Sequence, residues 1–216
     1  MSFPPRYRRA NAKSRVELAG EASRAKAVQV AIELFSEAGF RGTSIATVAA
    51  RSGLSQSGLL HHFPSKAALL AAVLDERDRQ DGEFLARSGD EPPLGWAAFD
   101  SLAALVARNS TRPQLVGLFV RIAAEATASD HPAHEWVKEH YEGVENWLTD
   151  AVRTGIARGE FAADTPVDFL VRSTIAILDG LQQQWLLHPD KLSMVAEFAS
   201  YVDTLRTRWA VPITTS

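Results

Sequence analysis

The chain has 216 residues, 46% of them hydrophobic, which is enough for one or two domains with a sizeable buried core. It contains no cysteine, and this excludes disulfides, thiol catalysis and cysteine-ligated zinc. No apolar run approaches the length of a bilayer span and no apolar secretory core follows the N-terminus, so the expectation is a soluble, cytoplasmic protein with no membrane partner.

The formal net charge is only −3, but it is unevenly placed. Residues 1–70 hold ten Lys/Arg against four Asp/Glu, whereas the remainder holds thirteen against twenty-two. A basic head on an acidic body fits a nucleic-acid-binding unit joined to a second function.

Residues 1–20 carry Arg6, Arg8, Arg9, Lys13 and Arg15 without apolar periodicity. They read as a basic, mobile arm, which either reaches for DNA or is a solvated tail. A first helix is predicted from about Ser23 to Ala38, where Ala27, Val28, Ala31, Leu34, Phe35 and Ala38 recur with helical period and Gly39 ends it.

The stretch Thr43 to Lys66, TSIATVAARSGLSQSGLLHHFPSK, organises the rest. Ile45, Val48 and Ala49 form one face of a short helix that Thr43 or Ser44 can cap. Gly53 supplies a turn needing positive φ, and Ser55 caps a second short helix, Gln56 to about His62. Two short helices around a glycine turn make a helix-turn-helix, whose second helix offers its N-terminal residues to the DNA major groove. Here these are Ser55, Gln56, Ser57 and Gly58. Gln pairs bidentately with adenine and Ser with several bases. Thr43, Ser44, Leu60, His61 and Lys66 complete the candidate DNA-contacting set, with Lys66 placed at a helix start to meet phosphate.

A fourth helix begins at Lys66, with Leu69, Leu70, Val73 and Leu74 as its buried stripe. The charged run Asp75 to Asp81 reads as its solvated end, and Ser88 to Gly95 as a linker rich in Gly, Pro and acid. Further helices are predicted at about Trp96–Arg108, Pro113–Thr127, Ala133–Arg158, Pro166–Leu187 and Lys191–Trp209. The last two carry broad apolar faces: Leu170, Ser173, Thr174, Ile177, Leu178, Leu181 and Trp185 on one, and Val195, Phe198, Val202, Leu205 and Trp209 on the other. Such faces fit a homodimer built from the last two helices of each subunit, or packing within one chain. His131 and His134 have a spacing that can ligate zinc, but no further ligand set accompanies them, so no metal and no cofactor is assigned.

The segment Ala27 to Leu74 resembles the DNA-binding domain of the TetR family of transcriptional regulators. The shared features are AIELFSEAGF (Ala31 to Phe40), Thr43-Ser44-Ile45, Val48-Ala49, Gly53-Leu54-Ser55, Leu59, His61, Phe63, Ser65-Lys66 and Leu69. Leu60 departs from the family, which often places there a Tyr that touches phosphate; Leu60 cannot donate a hydrogen bond. The resemblance implies an all-α fold, with a helix-turn-helix domain at 21–66 and a helical ligand-binding and dimerisation domain at 67–216. It further implies a double-stranded palindromic operator, a homodimer, and a small-molecule effector that releases the operator. Trp96, Phe119, His140, Trp147, Ser173 and Thr174 are the candidate effector contacts, with Trp136 and Trp185 as further aromatic candidates; core packing is the alternative for each.

Two other functions are weighed: a DNA-binding regulator controlled by a protein partner, and an enzyme using the C-terminal domain. No P-loop, Gly-x-Gly-x-x-Gly turn or Gly-x-Ser-x-Gly elbow supports the enzyme. The expectation is a ligand-responsive repressor.

Overall fold

The computed structural model describes residues 15–86 and 92–212. Most of the expected arm and the centre of the expected linker lie outside the described residues. Among the described residues, nine helices run in order: α1 (Arg15–Gly42), α2 (Ile45–Ser52), α3 (Gln56–His62), α4 (Lys66–Ala86), α5 (Trp96–Asn109), α6 (Pro113–Glu125), α7 (His134–Ala157), α8 (Val167–Leu187) and α9 (Met194–Trp209).

α1 corrects the expected arm, because it begins at Arg15 rather than Ser23. Six of the eight residues in the added segment RVELAGEA are good helix formers, enough to outweigh Val16 and Gly20, so intrinsic propensity extends the helix without an apolar stripe. Leu18 accordingly stays 53% exposed. At the other end Gly39 breaks the helical path, with φ 71°. α9 starts three residues later than Lys191 because Ser193 caps it, accepting from Ala196 N at 3.2 Å.

The head and body are not packed as separate bodies. One core joins α1, α2, α3 and the first half of α4 through Phe35, Val48, Leu59, Phe63, Leu70 and Leu74. The same core continues into α6 and α7 through Leu118, Ile122 and Val137. A second core fills the body between α5, α7, α8 and α9, around Phe99, Leu148, Phe161 and Phe198. α4 and α6 therefore both belong to the head's core and border the body's interior.

The apolar stripe of α9 is used within the chain, since Phe198, Val202 and Leu205 are buried against the second core. α8 differs: Phe169 is 72%, Leu187 67% and Ile177 38% exposed. Ile177, expected on the apolar face, thus sits at its solvent edge.

Candidate nucleic-acid interface and ligand chamber

The reading unit is assembled by local chemistry. Ser44 is the cap of α2, with Oγ accepting from Thr47 N at 3.0 Å. Gly53 takes φ 77° and ψ 22°, and Leu54 N donates back to Ala49 O at 2.9 Å, closing the end of α2. Ser55 then caps α3 by accepting from Gly58 N at 3.0 Å. Leu59 and Phe63 anchor α3 to the first core. Ser55, Gln56, Ser57, Leu60 and His61 are left exposed along it, beside exposed Ser44.

Two residues expected to touch DNA turn inward. Thr43 is 4% exposed, and its hydroxyl faces the carbonyls of Leu34 and Gly39 at 3.1 and 2.9 Å. Its role is to close the break after α1, where the chain leaves carbonyls without intrahelical partners. Lys66 is half-buried; its ammonium donates to Phe40 O at 2.9 Å and Thr43 O at 3.0 Å and lies 4.3 Å from the Phe40 ring centre. Helix C-termini attract cations, and Lys66 is held here at the end of α1.

The same junction is gripped from the body. Glu125 at the end of α6 accepts from Phe40 N at 3.0 Å, and Arg121 Nε donates to Ser36 O at 3.2 Å. A side chain at Gly39 would collide with the Glu125 carboxylate. His131 packs edge-on against Phe40 with ring centres 5.2 Å apart, and its Nε2 stands 3.4 Å from Glu125 Oε2. Its Nδ1 accepts from Ala133 N at 3.2 Å. His134 Nδ1 lies 2.8 Å from Ala126 O. Both histidines shape the turn between α6 and α7.

Inside the body, α4 to α8 and the start of α9 line a partly open chamber of about 260 Å³. Its apolar lining includes Leu102, Val116, Val144, Ile175 and Leu178. Of the candidate effector contacts, Phe119, His140 and Trp147 line it. Trp96, Ser173 and Thr174 lie elsewhere. Trp96 stacks on Phe161 with ring centres 4.0 Å apart and donates from Nε1 to Glu160 O. Ser173 and Thr174 both approach Tyr201 Oη, at 3.2 and 2.9 Å, and bond their own helix at Leu170 O. Their hydroxyls therefore join α8 to α9. Trp136 stacks on His140 and donates to Asp75, while Trp185 packs against the second core.

The polar lining is what the sequence reading missed. Arg77, Asp78 and Asp81 come from the run expected to be a solvated helix end. Arg77 is only 8% exposed. It pairs with Asp78 at 2.9 Å and Asp81 at 3.7 Å, and covers the Phe119 ring at 4.1 Å. Arg108 pairs with Asp81 at 2.6 Å, and His140 Nδ1 lies 3.1 Å from Asp78. Spacing carried a signal: Leu70, Leu74, Arg77, Asp81 and Leu85 continue one helical stripe, but hydropathy conceals its charged members. On the opposite wall Tyr141 donates to Asp179 at 2.9 Å. Burial pushes the Asp179 carboxyl above its usual range, against the lowering effect of that hydrogen bond, His140 and Arg77. Burial and the Asp179 carboxylate also push the Tyr141 phenol up, so it remains a donor.

A capped, exposed recognition helix on a helical head, with a chambered helical body behind it, defines a helix-turn-helix DNA-binding regulator. Matches to family models give the same answer: bacterial regulatory proteins of the tetR family over residues 27–73, and the tetracyclin repressor-like C-terminal domain over residues 98–199. The chain belongs to the TetR family of transcriptional regulators, and it is a regulator rather than an enzyme. It is 26% identical over 192 residues to the HTH-type transcriptional regulator TtgR of Pseudomonas putida, covering 84% of this chain and 89% of the relative. A TetR regulator from Chloroflexus aurantiacus shares the fold with TM-score 0.75 at 24% identity, over 90% of this chain and 100% of that one. SmeT in its triclosan complex does so with TM-score 0.72 at 18% identity, over 90% and 97%. No helix among the described residues is long and apolar enough to cross a membrane.

Proposed function

We propose that this protein is a cytoplasmic, homodimeric repressor that binds a palindromic operator through α3 and leaves it when a small molecule occupies the chamber. The head, through residue 66, does the reading, and the body from residue 67 holds effector and partner. Gln56 and Ser57 read bases, while Ser44, Ser55 and His61 meet phosphates or flanking bases. Leu60 offers an apolar contact, suited to a thymine methyl. Phe119, His140 and Trp147 contact the effector. SmeT, which shares the fold, forms a complex with triclosan, and this supports a small-molecule ligand here.

The observation that carries the reading is the sharing of α4 and α6 between the two sites. α6 offers Phe119 to the chamber and Glu125 to the end of α1. α4 offers Arg77 to the chamber and Lys66 to the same end. An effector that prefers a shifted α4 or α6 necessarily prefers a different head position, and this differential affinity is what coupling requires.

The test is a randomised-duplex selection with the purified chain, followed by binding measurements on the selected duplex at several salt concentrations. A palindromic consensus is expected, with affinity falling steeply as salt rises. Gln56→Ala is expected to relax preference at one symmetric pair of positions, costing about 1–3 kcal/mol there. A selection without any consensus, or with one unaffected by Gln56→Ala, would remove α3 from direct readout.

A further inference from the structure

Arg77, the chamber's arginine among the described residues, is already matched. It faces Asp78 and Asp81; Asp81 also holds Arg108 from outside the lining, and Asp78 bonds His140. Two acceptors on α8 are not matched. Asp179 accepts one hydrogen bond, from Tyr141, and is felt by Arg77 and His140, but among the described residues no cation stands at ion-pair distance from it. Gln182, one helical turn further along the same wall, buries Oε1 without any partner among the described residues. A buried acceptor without a donor costs about 1–3 kcal/mol, and a buried unpaired carboxylate costs more. Around these two acceptors the wall is apolar and aromatic, with Leu178, Val144 and Trp147. An anionic ligand would meet Asp179 with no unmatched chamber cation, among the described residues, to offset it.

On the reading that the chamber is the effector site, we propose that its ligand class is a compact aromatic molecule bearing a protonated amine. The amine N–H groups donate to Asp179 and Gln182, and the ring lies against Trp147 and the aliphatic wall. The volume of about 260 Å³ fits one fused bicyclic body with a short aminoalkyl arm rather than a long chain. The cation gives Asp179 a partner at contact distance, which Arg77 and His140, acting from further off, do not. A charge-assisted hydrogen bond in such a site is worth roughly ten- to a hundredfold in affinity.

Calorimetric titration of the full-length chain with four probes of one shape tests this. Naphthylmethylamine is cationic, naphthylmethanol a neutral donor, methylnaphthalene has no donor, and naphthoate is anionic. The amine is expected to bind at least about tenfold tighter than methylnaphthalene, with the alcohol between them and naphthoate weakest. In Asp179→Asn the amine's advantage should shrink to about threefold or less while methylnaphthalene keeps its affinity. Gln182→Leu, which leaves the carboxylate in place, should reduce the advantage of amine and alcohol alike, and keeps the test available should Asp179→Asn misfold. Methylnaphthalene binding as tightly as the amine would overturn the donor class and leave the chamber standing as an effector site. Naphthoate binding tightest would do the same. An alcohol equal to the amine would overturn the requirement for charge. Failure of all four to bind would overturn the proposal together with the effector reading of the chamber.

Discussion

Lys66 shows how one side chain acts at a distance from the surface it supports. Its ammonium bonds two carbonyls at the break after α1, so its removal loosens the platform on which α2 and α3 sit. Lys66→Met is expected to destabilise the protein by about 1–2 kcal/mol in denaturant unfolding and to weaken every duplex alike. The salt slope should not change; a slope reduced by about one would instead mean a lost phosphate contact. Asp179 makes an opposite case, in which a native residue opposes folding. Its carboxyl is raised by burial, so the folded state holds the proton over a pH range in which the unfolded state has released it. Stability contributed at this position therefore falls as pH rises from the ordinary carboxylate range through the raised value. Asp179→Asn cannot ionise, and thermal unfolding at neutral pH is expected to occur at a higher temperature than in the parent. That gain should vanish in acid below the ordinary carboxylate range.

Among the elements, α3 is the least able to stand alone. A helix of seven residues is far below the length at which isolated helices persist, so its caps and its two buried anchors decide whether it exists. Ser55→Ala removes the acceptor for Gly58 N and is expected to cost about 1 kcal/mol of stability, with a larger relative loss in operator affinity. α6, like α4, lines the chamber and holds the end of α1, so in the proposed mechanism it carries part of the coupling. Glu125→Ala breaks the bond to Phe40 N. It is expected to preserve ligand affinity while diminishing ligand-induced release of DNA, read as the ratio of operator affinities with and without ligand. An unchanged ratio would place the coupling in α4 alone.

At the scale of the whole molecule, the exposed apolar residues of α8 ask for a partner. Phe169, Ile177 and Leu187 are large apolar side chains left exposed on one helix. In the proposed homodimer a second copy related by a two-fold axis would cover them with the same helix and set the separation of the two copies of α3. Phe169→Asp combined with Ile177→Asp is expected to give a monomer in sedimentation velocity. It should bind a half-site weakly and the palindrome no better. A variant that remains dimeric would move the interface away from α8.

The helix-turn-helix was legible from sequence because its determinants are local. Ser44, Gly53 and Ser55 act within a few residues of themselves, and a cap or a positive-φ turn needs no distant partner. The all-α class was legible for the same reason, since helical periodicity is a property of one segment. The fates of Lys66, Thr43, Ser173 and Thr174 were not, because each depends on carbonyls or a phenol brought near by packing. Arg77 and Asp81 read as solvated because charge normally seeks water; Arg77 finds its carboxylates on α4 itself, but only packing brings Arg108 of α5 to Asp81 and the Phe119 ring of α6 under Arg77. The order and type of the helices, and the chemistry α3 presents, were thus decided by the chain's own local preferences. Which polar groups find partners, and which acceptors are left waiting in the body, was decided by tertiary structure, because electrostatic matching in a low-dielectric interior depends on neighbours that sequence distance does not reveal.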